Sequence, residues 1–306
     1  MISIIIPNYN HHFFLKTRID SILNQTYDNY EIIILDDNSS DESVSLIETY
    51  RKDQRISKII YNETNSGSTF KQWQKGIAAA HGDIIWIAES DDYCEPSFLE
   101  SLEKLINSNQ NNALAYCHSH IVDENNSLLD FKDWRQDLDL SRWDSDYIND
   151  GISEIKEYLV YKNIIVNASA VIFKKEAFLK IPPSLFENFR FAGDWMIWAS
   201  ILQFGNICYD HRKLNYFRVH ANTTRSIKSI KDEVSRVKEY FKVILYLKDR
   251  FKININRSKH FWIIEEWLGK AKLMKSSPEA FLLPPFQLKY KVMFYKALIK
   301  KVFRFI

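Results

Sequence analysis

The chain has 306 residues, 46% of them hydrophobic, with 41 Lys and Arg against 39 Asp and Glu. That size and apolar content suit one large domain, or one domain with a smaller appendage, and the near balance of charge argues against nucleic acid as a partner. Three cysteines, Cys94, Cys117 and Cys208, stand far apart without CxxC spacing, which argues against a disulfide framework or thiolate zinc site and predicts reduced core residues in a cytoplasmic protein.

The N-terminal run "MISIIIP" is too short for the apolar region of a signal peptide, and no stretch reaches the length of a membrane span. The chain is therefore expected to be neither secreted by a cleaved signal nor threaded through a bilayer. "ISIII" (2–6), "EIIIL" (31–35), "ISKII" (56–60) and "DIIWIA" (83–88) are short β-branched runs bounded by polar clusters. Each is predicted to be a central parallel strand buried on both faces. Between them apolar residues recur at helical spacing: Phe14, Ile19, Ile22 and Leu23; Val44, Leu46 and Ile47; Phe70, Trp73, Ile77 and Ala80. Alternation of this kind predicts βαβ crossovers and a doubly wound α/β sheet, whose ligands bind beyond the carboxyl ends of the strands.

Acids and amides crowd those ends: "PNYN" (7–10), "DDNSSD" (36–41), "NETNSGS" (62–68) and "ESDD" (89–92). Singly, "DDNSSDES" reads as a helix cap and Pro7 as a strand terminator. Together, clustered carboxylates repel one another unless a cation shares them, and oxygen ligands of this type suit Mg²⁺ or Mn²⁺. The first loop, "PNYNHHF", contains no glycine, so neither a GxGxxG dinucleotide loop nor a P-loop is present, and a methyltransferase is disfavoured on the same ground.

"SIIIPNYNHHFFLKTRIDSILNQTYDNYEIIILDDNSSDES", then "NSGS", then "GDIIWIAESDD" resembles the nucleotide-binding half of an inverting family 2 glycosyltransferase of the GT-A fold. The likeness spans roughly the first 100 residues and continues more weakly to about residue 225. It implies a nucleobase held by Pro7, Tyr9 and Asp37, with Asn8 and Ser90 also in the nucleotide site. A tyrosine face can stack on a base, and a carboxylate can accept the imino N–H of uracil. The family's DxD motif reads Glu89-Ser90-Asp91 here, with glutamate in the first position. The resemblance makes Asp91 the direct metal ligand and gives Glu89 a contact with ribose or a metal-bound water, while Asp92 can be structural. The third loop, "NSGSTFKQWQKG" (65–76), departs from the family's NxGxxxARNxG pattern, leaving Lys71, Gln72 and Gln74 without a role. Gly67 and Gly76 suit a tight helix entry and close packing, and Trp73 suits the core.

In the acceptor half, "FRFAGDWMIWASILQFG" (189–205) places Asp194 at a helix entry, where the resemblance makes it the general base; a plain helix-capping role is compatible. "YFRVHANTTRS" (216–226) resembles the family's C-terminal histidine segment, which makes His220 a ligand of the metal or diphosphate. The implied organisation is a GT-A catalytic domain over 1–225, divided into a nucleotide-binding half (1–110) and an acceptor half (111–225), then a helical region over 226–306. The implied activity is inverting transfer from a nucleotide-sugar, with UDP favoured, to a saccharide or lipid-linked acceptor in surface polysaccharide synthesis, with Mn²⁺ or Mg²⁺ as cofactor. A non-catalytic sugar-nucleotide-binding subunit is the alternative. The tail (286–306) carries Lys289, Lys291, Lys296, Lys300, Lys301 and Arg304 without an acid, interleaved with apolar residues. Such a helix either lies on an anionic membrane, placing the protein peripherally on the inner face of the cell membrane, or docks on the catalytic domain.

Overall fold

Isoleucine dominates the first apolar runs, and its branched Cβ favours extended backbone. The computed structural model describes residues 1–130, 132–221, 229–273, 286 and 288–303. Its first part alternates β1 (Ile2–Asn8), α1 (His12–Leu23), β2 (Tyr30–Asp36), α2 (Ser43–Tyr50), β3 (Ile56–Tyr61), α3 (Thr69–Ala79) and β4 (Ile84–Ile87). β1 pairs in parallel with β2 and β4, and β2 with β3. β1, β2 and β4 are buried along their whole length. β3 corrects the expectation of a central strand: it lies at the sheet edge, with Ser57, Lys58 and Tyr61 exposed. Its polar pair Ser57-Lys58 fits a half-solvated edge, which a strand covered on both faces would not tolerate.

The two-residue period of the strands divides the interior. Ile4, Ile6, Ile32 and Ile34 face a core completed by Ile19 of α1 and Ile47 of α2, whereas Ile5, Ile33 and Leu35 face Phe70, Trp73 and Ile77 of α3. The remaining elements are β5 (Tyr93–Cys94), α4 (Phe98–Ile106), β6 (Asn112–Val122), β7 (Tyr147–Asn149), α5 (Gly151–Glu154), β8 (Val171–Lys174), α6 (Lys175–Leu179), α7 (Gly193–Ile201), β9 (Asn206–Arg218), α8 (Ile230–Phe251), α9 (Phe261–Leu273) and α10 (Leu288–Phe303). Among the described residues the sheet runs β3-β2-β1-β4-β8-β6-β9-β5, with β7 also beside β9. β8 is antiparallel to both β4 and β6, and β6 is parallel to β9. β9 consequently runs in the same sense as β1, β2 and β4, so its carboxyl end, leading to His220, reaches the edge where the acid-rich loops emerge.

The larger core continues into the C-terminal helices, where Phe241, Ile244, Trp267, Phe286 and Phe294 join Trp195 and Trp198 in one cluster. α10 is docked through Tyr290 and Phe294, and the Tyr290 hydroxyl lies 2.8 Å from His260 Nδ1. The opposite face of α10 is also apolar: Leu288, Val292, Tyr295 and Ile299 are exposed, spaced as one stripe. The side chains of Lys300, Lys301 and Arg304, and the 225/226 boundary, lie outside the described residues. No helix among the described residues is long and apolar enough to cross a membrane. Cys94, Cys117 and Cys208 are buried free thiols.

Candidate active site

The carboxyl ends of β1, β2 and β4 open on a cavity of about 290 Å³. Pro7, Asn8, Tyr9, Asp37, Glu89 and Ser90 all line it, together with His11, Gly67, Gln72 and Arg190. Tyr9 is half exposed at the rim. Asp37 is held by the third loop: it accepts hydrogen bonds from the Ser66 amide (2.9 Å), the Ser66 hydroxyl (2.8 Å) and Gln72 Nε2 (3.0 Å). Gln72 thus positions Asp37. Asn8 Nδ2 donates to Asp36 (2.8 Å), which also accepts from the Ser39 amide and hydroxyl, so Asp36 staples the first loop to the second. Asn8 Oδ1 is buried without a hydrogen-bond partner among the described residues. Gly67 adopts φ +70°, and a Cβ at Gly76 would meet Ile5 Cγ2 at 2.4 Å, so the glycines serve the loop turn and the packing of α3 on β1.

The acids of "ESDD" have separate fates. Glu89 accepts the Trp73 indole N–H at 2.8 Å; desolvation, then the charge of Asp91, push its pKa up to about 8. Asp92 is held by the surrounding fold. It accepts from Asn167 Nδ2 (2.9 Å), the Ser169 hydroxyl (2.6 Å) and the Arg218 amide (2.9 Å), with Arg18 at 3.9 Å. Burial and Asp91 still raise its pKa to about 6. Asp91 Oδ2 lies 3.1 Å from His220 Nε2. Desolvation opposes its ionisation, but the His220 hydrogen bond and the neighbouring imidazoles of His11 and His220 outweigh that and hold its pKa below the ordinary carboxylate range. His11 Nδ1 sits 2.8 Å from the Ser90 hydroxyl. One ligand atom each from His11, Asp91 and His220 lie within 4.8 Å of one another, a donor set of imidazole and carboxylate that fits a divalent transition ion.

Asp194 lines a second cavity, of about 230 Å³, with Asn163, Ala192, Trp195, Arg236, Tyr240 and Glu266 among its walls. Its Oδ1 accepts the Trp195 amide N–H at 2.8 Å and its Oδ2 accepts Asn163 Nδ2 at 3.1 Å. The segment before α7 lies between the cavities: Phe189 and Arg190 line the first, and Phe191, Ala192 and Asp194 line the second. A Cβ on Gly193 would meet the Phe70 ring at 2.4 Å, and Phe70 itself lines the first cavity. A third cavity, of about 300 Å³, adjoins the second through Ile121, Trp134 and Val166.

Sequence reasoning missed His11, Gln72, Arg190 and Asn163, along with the wall that α8 and α9 contribute through Arg236, Tyr240 and Glu266. His11 follows "PNYN" directly, and Arg190 precedes Asp194 by four positions; only that adjacency hinted at them.

The family model for glycosyl transferase family 2 matches residues 3–169. A Haemophilus influenzae protein described as an uncharacterized glycosyltransferase is 27% identical over 276 residues, 90% of this chain and 98% of that one. The GalNAc(5)-diNAcBac-PP-undecaprenol beta-1,3-glucosyltransferase of Campylobacter jejuni is 25% identical over 225 residues, covering 71% of this chain and 64% of that protein. The solved structure of S. aureus TarS 1–349 in complex with UDP-GlcNAc is similar with a TM-score of 0.63 at 15% identity, covering 97% of this chain and 79% of that one. GalNAc-T7 with UDP, GalNAc and Mn²⁺ is similar with a TM-score of 0.58 at 13% identity, covering 97% and 54%. Identities this low speak for the fold alone, and the fold they share is the GT-A arrangement of a mostly parallel sheet flanked by helices. The family match spans more than half of the chain, from β1 to the residues just before β8. The chain thus belongs to glycosyl transferase family 2, and is a glycosyltransferase of the GT-A fold.

Proposed function

We propose that the protein is an inverting, metal-dependent transferase that moves a sugar from a UDP-sugar to a saccharide or lipid-linked acceptor in surface polysaccharide synthesis. The observation that carries this reading is the segment 189–194, which lines the first cavity and, through Asp194, the second. A donor in one and an acceptor in the other would meet beside that carboxylate. Tyr9 stacks on the uracil with Pro7 beneath it, Asp37 accepts the imino N–H, and Asn8, Glu89 and Ser90 face the ribose side. Asp91 and His220 hold Mn²⁺ or Mg²⁺. Such an ion, when bound, neutralises charge that develops on the diphosphate leaving group. Asp194 takes the acceptor hydroxyl proton while that oxygen attacks C1 from the face opposite the diphosphate. One displacement forms the new glycosidic bond, breaks the C1–O bond to UDP and inverts the centre.

TarS crystallised with UDP-GlcNAc supports the donor class, GalNAc-T7 with Mn²⁺ supports the metal, and the Campylobacter relative, named for an undecaprenol-linked substrate, supports a lipid-linked acceptor. In this reading residues 1–110 bind the nucleotide, 111–225 position the acceptor, and the helical region beyond closes the acceptor cavity. The protein works in the cytoplasm, and the outer stripe of α10, with its lysines, brings it to the inner face of the cell membrane. The test is calorimetry of UDP with and without Mn²⁺, followed by donor hydrolysis. UDP affinity indifferent to EDTA would sink the metal-dependent reading, and tight binding without turnover would leave a sugar-nucleotide-binding subunit instead.

A further inference from the structure

We propose that His11 is a third protein ligand of the divalent cation, beside Asp91 and His220. The inference rests on the nucleotide-sugar reading above. Its ground is spatial. The ligand atoms of His11, Asp91 and His220 converge within 4.8 Å, from the loop after β1, the turn between β4 and β5 and the segment after β9. The separation of Asp91 Oδ2 and His220 Nε2 is 3.1 Å.

The His11 ring is already oriented for such a task. Its Nδ1 is 2.8 Å from the hydroxyl of Ser90, the residue next to Asp91. When Nδ1–H donates to that hydroxyl, Nε2 carries the lone pair, and metal-bound histidines are commonly fixed by this kind of outer hydrogen bond. The ring centroids of His11 and His220 are 5.6 Å apart with the planes nearly perpendicular. His11 is anchored through its backbone as well, because its carbonyl accepts the amides of Phe14 and Leu15 at the start of α1.

The experiment uses the full chain saturated with UDP. Mn²⁺ affinity is measured from the electron paramagnetic resonance signal of free Mn²⁺, and directly bound nitrogens by electron spin echo modulation. Wild type is expected to show two coordinated imidazoles. His11→Ala should show one and weaken Mn²⁺ by about tenfold or more, since loss of even an outer-shell partner costs 10–100-fold. A single imidazole in the wild-type spectrum overturns the proposal even if the variants fail to fold. Unchanged Mn²⁺ affinity in a folded His11→Ala overturns it too. If wild type with UDP binds no Mn²⁺ at all, the metal-dependent reading falls as well; if Asp91→Asn loses Mn²⁺ while His11→Ala keeps it, only the role of His11 falls.

Discussion

Asp194→Asn should separate proton transfer from donor binding, because Asp194 lines the second cavity and not the one lined by the residues proposed to hold the nucleotide. The substitution conserves volume and removes basicity. Its amide oxygen can keep the bond from the Trp195 N–H, but the amide nitrogen then faces Asn163 Nδ2, donor against donor. Asn163 cannot simply turn, since its Oδ1 accepts the Ile165 amide at 3.3 Å. The mismatch should cost about 1–3 kcal/mol of stability, visible as a lower melting temperature without loss of fold. Loss of a general base removes about 10²–10⁴-fold in rate, or roughly 3–5 kcal/mol of transition-state stabilisation. UDP and metal affinity should stay near wild type while kcat falls. The assay is steady-state transfer to the acceptor, with calorimetry of UDP and Mn²⁺ on the same preparation. Near-normal transfer by Asp194→Asn would refute the assignment, and Glu187, in the loop ahead of α7, would be the next acid to test.

Asp91→Asn should lose both transfer and the metal enhancement of UDP binding; undiminished metal dependence in calorimetry would remove Asp91 from the metal set. His260, buried between the Val160 carbonyl and the Tyr290 hydroxyl, has its pKa pressed down to about 4, chiefly by burial. The unfolded chain, with a histidine pKa near 6.5, then binds the proton first, so this contribution is full above about pH 6.5 and falls by roughly 3 kcal/mol as the pH drops to about 4; denaturant melts of wild type and His260→Gln at several pH values should show the slope flattened in the variant, and equal slopes would contradict it. Replacing Leu288, Val292 and Ile299 together by serine should lower partitioning onto anionic vesicles at low salt while UDP affinity and melting temperature hold; equal partitioning would leave α10 as a docked helix only.

The strands around β1 were legible because their residues carry the whole message: "ISIII", "EIIIL" and "DIIWIA" can be satisfied only by burial on both faces. "ISKII" looked alike by composition, yet its Ser57-Lys58 pair belongs at an edge, and edge or centre depends on which strands pair rather than on the run itself. β6 and β9 were less legible still. Their polar residues, such as His118, His120, Arg212 and Lys213, interrupt the apolar pattern, and the two strands join residues nearly a hundred positions apart through a parallel ladder with several register shifts. α10 shows the same limit from another side. Its composition marked it as amphipathic, but a helix with one apolar stripe against Phe241 and a second facing outward can be sorted only when its neighbours are in place.

In the site, sequence revealed the kind of chemistry before it revealed the division of labour. "ESDD" announced a crowd of carboxylates whose mutual repulsion had to be relieved. The relief comes from far along the chain: Ser169 is 77 residues from Asp92, and His220 is 129 residues from Asp91. Glu89, enclosed beside Trp73, is pushed toward the neutral acid, and Asp92 is taken up by Asn167, Ser169 and the Arg218 amide. Asp91 alone has imidazoles as its facing partners and keeps its charge easily. A local motif cannot encode that partition, because adjacent residues of one chemical type are told apart only by what the fold brings against them. The same reasoning accounts for His11 being overlooked: in "PNYNHHF" it is one of two consecutive histidines, and only the crossing of β1 beside β4 selects it over His12 as the ring that meets Ser90.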